Sequence, residues 1–154
     1  MPPTPELTHI YTATVELAPP LDLGATPHGH RLIVPITGGA LDGPRISAKV
    51  LPGGADWIAI RSDGVAELDV RATVETHDGA LIYVTIRGYL TNLMEVVERL
   101  TRGETVPDSD YSFVMSPAYE TSDPRYDWLQ RTIAVAKGVM LPNAVRYDVF
   151  GVMD

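Results

Sequence analysis

The stretch GPRISAKVLPGGADWIAIRSDG, residues 43–64, decides the fold of this chain. Two strand-prone runs within it are separated by Gly53-Gly54 and closed by Asp63-Gly64, and such pairs are typical of tight turns between strands. A second Asp-Gly pair, Asp78-Gly79, closes the next predicted hairpin. The middle of the chain therefore predicts a β-meander.

Strand-like segments continue on both sides of the meander. We expect a long strand over 6–17 that ends at Pro19-Pro20, a loop over 21–30 with two histidines, and a strand over 31–36 closed by Gly38-Gly39. The remaining strands are expected near 44–51, 56–61, 65–77, 80–90, 111–115, 131–139 and 144–152.

One segment has the periodicity of a helix. Residues 91–102, TNLMEVVERLTR, are expected to start at a Thr91 cap, with Glu95 in a capping box, and to end at Gly103. An apolar stripe at helical spacing is formed by Leu93, Val96, Val97 and Leu100. Residues 124–130 are typical of a single helical turn.

So many strands would leave long exposed edges in an open sheet, and closing the sheet removes them. The predicted fold is therefore an all-β, closed antiparallel barrel of about eight to nine strands, formed by 1–154 as a single domain with one amphipathic helix. A barrel of this size has room for side chains or for one small ligand.

The composition excludes several classes of function. Twelve basic against twenty acidic residues give a formal net charge of −8, which disfavours nucleic-acid and anionic-membrane partners. The chain has no cysteine, so thiolate metal sites and cysteine nucleophiles are absent. No apolar run is long enough to span a bilayer and no signal peptide is visible, so we expect a cytoplasmic protein.

The candidate site depends on which sheet face lines the barrel. With two-residue turns at both Asp-Gly pairs, His77 would pair with Ala80, and both faces would be mixed. One face would carry Asp56, Asp69 and Arg71 among aliphatic residues. That arrangement suits a ligand-binding lumen, and it equally suits an ion pair that locks the barrel.

Four residues are candidates for proton transfer: Asp56, Asp69, His28 and His30. A carboxyl group can exchange protons near neutral pH when burial raises its pKa, and histidine titrates there unaided. The two histidines, in a Gly/Pro-rich loop, are alternatively exposed residues or metal ligands. No third ligand has supporting spacing, so we expect no metal.

Other residues are candidates for substrate binding. Arg31, Arg61 and Arg71 could hold a carboxylate or an enolate, or each could pair with a nearby acid. Aromatic side chains that could stack on a ring are Trp57, Tyr83, Tyr89 and Tyr111, whereas core packing is expected for Trp128. Phosphate-binding, dinucleotide-binding and serine-hydrolase motifs are absent from the sequence, so we expect no cofactor.

The chain resembles the family called "domain of unknown function 3237" from about residue 6 to 152. The segments that carry the resemblance include GATPHGHRLIVPITGG (24–39), GPRISAKVLPGGADW (43–57), ELDVRATVETHDGALIYV (67–84) and YETSDPRYDWLQRTIAVAKG (119–138). It implies a small barrel of the lipocalin or allene-oxide-cyclase type, and no settled activity.

Departures from the family pattern indicate the character of the lumen. Where family members usually carry arginine and a neighbouring polar residue, this chain has Val114 and Met115. Where they tend to have tyrosine, it has Ala72. On this comparison the lumen would be larger and less polar, with these three residues on or near its wall.

These observations lead to two hypotheses about function. The first is a cofactor-independent isomerase or cyclase that acts on an apolar, aromatic or polyketide-like metabolite, with a homo-oligomer as a further possibility. The second is a barrel that binds such a ligand without chemistry. Proton transfer and the folding of a substrate into a reactive shape need only a shaped pocket.

Overall fold

Ten strands and one α-helix make up the fold in the computed structural model, which describes residues 1–153. The strands are β1 Thr8–Leu17, β2 Leu21–Thr26, β3 Gly29–Asp42, β4 Ser47–Val50, β5 Ala55–Ile60, β6 Ala66–Thr76, β7 Leu81–Leu90, β8 Phe113–Glu120, β9 Ile133–Leu141 and β10 Ala144–Val152. The helix α1 spans Leu93–Thr101, and two 3₁₀ helices span Asp108–Asp110 and Pro124–Arg131.

The sheet is a closed antiparallel barrel. Pairing runs from β1 through β10, β9, β8 and β7 to β6. Strands β4 and β5 connect β6 to β3, and β3 pairs back with β1. Strands β4 and β5 occupy successive parts of one position between β3 and β6, and β2 pairs with β3. Eight strand positions thus form the barrel, which confirms the predicted fold class.

The hairpin between β5 and β6 has a three-residue loop rather than the predicted two-residue turn. The Arg61 N–H donates to the Val65 carbonyl at 2.9 Å, so the loop is 62–64. Gly64 has φ of 86°, and a left-handed third residue closes three-residue loops. The predicted pairing of Ser62 with Val65 is therefore wrong.

The hairpin between β6 and β7 repeats this geometry. The Thr76 N–H donates to the Ala80 carbonyl at 2.8 Å, and Gly79 has φ of 90°. The loop is 77–79, so the predicted pair His77–Ala80 is also wrong. The same Asp-Gly signal produced the same one-residue error at both turns.

The change from two-residue to three-residue loops gives the two faces of the sheet different chemical character. Val70 lies between Asp56 and Ile86, where the two-residue turns would have placed Trp57 and Arg87. In this register the even-numbered residues of β5, β6 and β7 share the inner face, and they are apolar apart from Asp56, Thr76 and Gly88. The mixed faces predicted from the sequence become an apolar interior and a polar exterior.

The N-terminal half also differs from the prediction. The expected loop over 21–30 contains β2, and β3 continues to Asp42 instead of ending at Gly38-Gly39. A Cβ on Gly39, which has φ of 135°, would lie 2.2 Å from the Thr14 carbonyl oxygen. Glycine therefore lets β1 and β3 approach closely there rather than ending the strand.

Helix α1 forms with its predicted stripe inward but without the capping box. Its N-cap is Asn92, left-handed with φ of 58° and making no side-chain cap hydrogen bond. The Thr91 hydroxyl instead accepts a hydrogen bond from the Ser112 N–H. Leu93 and Val96 are buried, and Gly103 follows the helix end in the left-handed conformation, as predicted.

The two ends of the barrel are built differently. At one end the 3₁₀ helix Pro124–Arg131 buries Tyr126 and Leu129, and the Arg45 guanidinium lies 3.8 Å from the centre of the Trp128 ring. At the other end α1 lies beside the β1–β2 connection and the β9–β10 turn. The interior is reached from this second end.

Candidate functional site

A cavity of about 500 Å³ occupies the barrel interior. Every one of the eight strand positions contributes to its wall, and α1 contributes from one end. Exposed lining residues mark its mouth, and these are Pro19, Pro20, Thr101, Leu141, Pro142 and Asn143. The mouth is therefore framed by α1 and two connecting segments.

The cavity wall is almost entirely aliphatic. From β3, β6 and β7 it receives Leu32, Val34, Ile36, Leu68, Val70, Ala72, Val74, Val84, Ile86 and Leu90. Among the lining residues in the described part of the chain, Asp56 is the one Asp, Glu, Lys, Arg or His. Such a pocket suits an apolar ligand with a single polar group directed at that carboxyl.

The environment of Asp56 favours its neutral form. Burial inside the barrel raises the pKa of this carboxyl to about 7, against a smaller opposing effect of the Asp69 N–H, which donates to Oδ1 at 3.0 Å. The nearby Asp69 carboxylate raises the pKa further. Asp56 is thus poised to exchange a proton near neutral pH, as a general acid or base requires.

Three tyrosines add hydroxyl groups to this region. The hydroxyl oxygens of Tyr11 and Tyr119 are 2.7 Å apart, so one of these groups donates a hydrogen bond to the other. Tyr11 and Tyr147 both line the cavity. Burial raises the pKa of all three phenols, so they remain protonated hydrogen-bond donors at neutral pH.

Three of the predicted site residues lie on the cavity wall: Asp56, Ala72 and Met115. Met115 is buried on β8, and Ala72 faces inward from β6. The structure brings these three to the lumen and leaves the others outside it.

The predicted grouping of Asp56 with Asp69 and Arg71 is wrong. Asp69 and Arg71 face outward from β6 and pair with each other at 3.5 Å. Arg61 pairs with Asp63 at 2.6 Å on the surface. The one-residue change at the β5–β6 hairpin explains this, because it moves odd-numbered residues to the exterior.

Trp57 and Arg31 also lie on the outer side of the sheet. The Arg71 guanidinium lies 5.5 Å from the Trp57 ring centre, and Arg31 Nη1 donates to the Trp57 carbonyl at 3.3 Å. These contacts assign the two arginines to structural partnerships.

The remaining predicted residues are distributed over the surface. His28 is exposed in the β2–β3 turn, and His30 Nε2 lies 2.6 Å from Asp22 Oδ1. Tyr83, Tyr89 and Val114 are exposed on the exterior, so the prediction that Val114 lies on or near the pocket wall is wrong.

Tyr111 occupies an intermediate position. It is partly buried near the cavity end, and its hydroxyl accepts a hydrogen bond from the Met140 N–H at 2.8 Å. Its polar atom therefore holds the β9 backbone rather than facing the lumen.

Sequence reasoning missed Tyr11, Tyr119 and Tyr147 as site residues. A signal for Tyr11 was present, because it alternates along β1 with Ala13 and Val15, and all three are buried. Tyr147 alternates with the lining residue Val145 and the buried Val149 in the same way on β10. Alternation in the terminal strands could have identified both.

Within residues 1–153, no group of three or more His, Cys, Asp or Glu side chains has metal-binding geometry. The helices of this part of the chain are all too short or too polar to cross a bilayer.

Comparisons with other proteins agree with this architecture. Residues 5–152 match the family model "Protein of unknown function (DUF3237)". A UPF0311 protein of Rhodopseudomonas palustris is 35% identical over 153 residues, covering 99% of this chain and 100% of the relative. A UPF0311 protein of Bradyrhizobium diazoefficiens is 35% identical with the same coverage.

Solved structures give the same result. A crystal structure of a "beta-barrel like protein" from Acinetobacter baumannii is 38% identical, with a TM-score of 0.84 and coverage of 99% of this chain and 98% of that one. An enzyme from Penicillium herquei shares the fold with a TM-score of 0.70 at 22% identity, covering 97% of this chain and 98% of that one. On the family match and the 35% identity over the whole length, this chain belongs to the DUF3237 family of proteins of unknown function.

Proposed function

We propose that this barrel is a cofactor-independent enzyme that isomerises or cyclises a small, largely apolar metabolite in its lumen, with Asp56 as the group that moves the proton. The observation that carries the proposal is a lone carboxyl with a pKa of about 7 in an aliphatic cavity of about 500 Å³. A carboxyl whose pKa lies near the working pH serves as general base in one step and general acid in the next.

The proposed chemistry leaves the composition of the substrate unchanged. The Asp56 carboxylate takes a proton from a carbon beside a carbonyl, the C–H electron pair forms a carbon–carbon double bond, and the carbonyl π pair moves to oxygen, so an enolate results. Asp56 then returns the same proton to a different atom. In a cyclisation the proton comes from a hydroxyl, whose oxygen adds to a conjugated carbon before the proton returns to the neighbouring carbon.

The geometry narrows the set of residues that could take part. His28, His30 and Asp69 lie outside the cavity, as do Arg31 and the other two candidate arginines. The sequence suggested that these arginines hold a carboxylate or an enolate, and that role has no support in their positions. Of the four candidate catalytic residues, Asp56 is the one that lines the cavity.

A test needs an uncharged ketone that fits the cavity and exchanges slowly by itself. 2-Tetralone, a two-ring ketone with acidic C–H bonds beside its carbonyl, meets both conditions. Its exchange of hydrogen for deuterium in heavy water can be followed by proton NMR. We expect the protein to accelerate exchange, and Asp56→Asn to reduce the acceleration by about 10²–10⁴-fold, the usual contribution of a placed acid or base.

Glu67→Gln is the matched control, because it makes the same acid-to-amide change on the exposed face of β6. Its exchange rate should equal that of the wild type.

The second candidate function is a ligand-binding barrel without chemistry, and the aliphatic wall favours it as much as the enzyme. If the wild type binds 2-tetralone with no acceleration of exchange, or if Asp56→Asn exchanges as fast as the wild type, the enzyme proposal is refuted and the binding protein remains. The fold shared with a Penicillium herquei enzyme is compatible with either role.

A further inference from the structure

The Tyr147 hydroxyl makes no hydrogen bond within residues 1–153, and the residue is 7% exposed. No fully buried side-chain oxygen or nitrogen in this range lacks a partner, so the Tyr147 hydroxyl retains accessible surface. Because Tyr147 lines the cavity, that surface faces the lumen.

The neighbouring strands make room for this side chain. Directly opposite Tyr147 are Ala13 on β1 and Gly138 on β9, two of the smallest residues. A Cβ on Gly138 would lie 2.9 Å from side-chain atoms of Phe113 and Met115, so glycine there leaves room for these two side chains. Small residues on both neighbouring strands therefore flank the phenol.

The hydroxyls of the other two tyrosines differ from that of Tyr147 in their hydrogen bonding. Tyr11 and Tyr119 bond to each other through their hydroxyls at 2.7 Å. One of these two O–H groups is therefore engaged as a donor, and the other belongs to a phenol whose oxygen already accepts a hydrogen bond. The Tyr147 hydroxyl has neither contact within residues 1–153, so a ligand can take its hydrogen bond without disturbing a bond between protein side chains.

Asp56 and Tyr147 form a complementary pair in the lumen. Both side chains line the same cavity, one from β5 and the other from β10. Burial raises the Tyr147 pKa, and the Asp56 carboxylate adds to that rise. Tyr147 stays a donor at neutral pH, whereas Asp56 gains or loses a proton there. One group can hold an oxygen while the other exchanges a proton beside it.

We propose that the Tyr147 hydroxyl is the hydrogen-bond donor that holds a ligand's carbonyl oxygen beside Asp56, so that the lumen selects uncharged carbonyl compounds with an acidic C–H or O–H bond. The inference rests on the proposed function, since it identifies the partner of Asp56 in the same site. Uncharged ligands are favoured because no Lys, Arg or His of the described chain lines the cavity to pair with an anion.

The test compares two ligands of the same shape on two proteins. 2-Tetralone carries the carbonyl and tetralin is its hydrocarbon counterpart; each displaces the fluorescent probe N-phenyl-1-naphthylamine from the lumen. We expect Tyr147→Phe to weaken 2-tetralone binding by about five- to tenfold, the usual effect of one neutral hydrogen bond, and to leave tetralin binding unchanged.

Tyr126→Phe is the control, because it removes a buried phenolic hydroxyl that donates to Asp78 outside the cavity. It should change neither ligand's affinity. Tyr147→Phe deletes a hydroxyl that makes no hydrogen bond within residues 1–153, so we expect the fold to be retained, and tetralin binding reports this directly.

The outcomes are distinct. If Tyr147→Phe binds 2-tetralone as tightly as the wild type, or loses both ligands equally, Tyr147 is not the donor, although the proton-transfer proposal for Asp56 stands. If the wild type binds neither ligand, the lumen is not a ligand site, and the proposed function and this inference fall together.

Discussion

The backbone N–H of Asp69 donates to Asp56 Oδ1 over 3.0 Å, while the Asp69 side chain points to the opposite face of the sheet and pairs with Arg71. The contact between the two aspartates is therefore made through the backbone of one of them. Burial raises the Asp56 pKa, and within residues 1–153 no cationic side chain is paired with Asp56 to oppose that rise.

The raised pKa predicts how stability depends on pH. Unfolding returns the Asp56 pKa to its usual value of 3.8, so between that pH and about 7 the folded protein holds a proton that the unfolded chain has lost. The free energy of unfolding therefore falls as pH rises through this window and is level above it. Asp56→Asn abolishes this contribution, which amounts to up to roughly 4 kcal/mol.

Urea unfolding of the wild type and Asp56→Asn at about pH 5.5 and about pH 8 measures this effect. From about pH 5.5 to about pH 8, the free energy of unfolding of the wild type should fall by roughly 2 kcal/mol relative to that of the variant. The fall corresponds to the part of the titration window that lies between about pH 5.5 and about pH 7. Glu67→Gln should show no such shift. An ion pair of Asp56 with Arg61 or Arg71 would instead make Asp56→Asn destabilising at about pH 8.

The size of the cavity predicts the effect of filling it. Ala72 faces the lumen, so Ala72→Tyr would occupy part of the 500 Å³ and should weaken 2-tetralone binding at least tenfold, because overfilled sites force neighbours from their preferred conformations. Val114→Tyr adds the same side chain on the exterior of β8 and should leave affinity unchanged. Equal affinity of all three proteins in calorimetry would place the ligand elsewhere.

Two glycines in the connections around β5 predict losses of stability of different size when each is replaced by alanine. At Gly64 a Cβ would meet nothing within 4 Å, so Gly64→Ala should lose only about 1 kcal/mol for its left-handed backbone, and Gly64→Asn less. At Gly54 a Cβ would lie 2.3 Å from the Arg71 carbonyl oxygen, so Gly54→Ala should cost several times more, on the order of 3 kcal/mol. Thermal unfolding of the three variants checks the ranking, and equal melting temperatures for the two alanine variants would contradict it.

Metal content remains a prediction that chemistry can check. His30 and Asp22, 2.6 Å apart, offer two ligands where zinc sites use three or four. We expect elemental analysis of an untagged preparation to find no stoichiometric zinc or iron. Bound metal that disappears in His30→Ala would reopen a metal-dependent function.

Much of the barrel could be predicted from turns and alternation. The closed antiparallel sheet and the apolar stripe of α1 both follow from local patterns that the tertiary structure leaves in place. The register could not be predicted, because Asp-Gly pairs are compatible with both two- and three-residue loops. Gly39 is a similar case, because a close approach of two strands and a turn both require glycine.

Only part of the candidate site could be predicted from the sequence. Asp56 was identified, but its companions Asp69 and Arg71 were assigned to the lumen by the wrong register. Tyr147 was missed because it is singled out by a hydroxyl without a hydrogen-bond partner. Whether a hydroxyl has a partner depends on which residues the fold places near it, and the sequence of β10 alone does not show this.

The three-residue loop 62–64 also constrains how this family can change. Adding or removing one residue there would exchange inside for outside along β5, so Trp57 would enter the lumen and Asp56 would meet solvent. Substitutions, or changes of two residues, preserve the orientation of the strand. A comparison of loop lengths among relatives would therefore sort them by interior chemistry before any of their activities is measured.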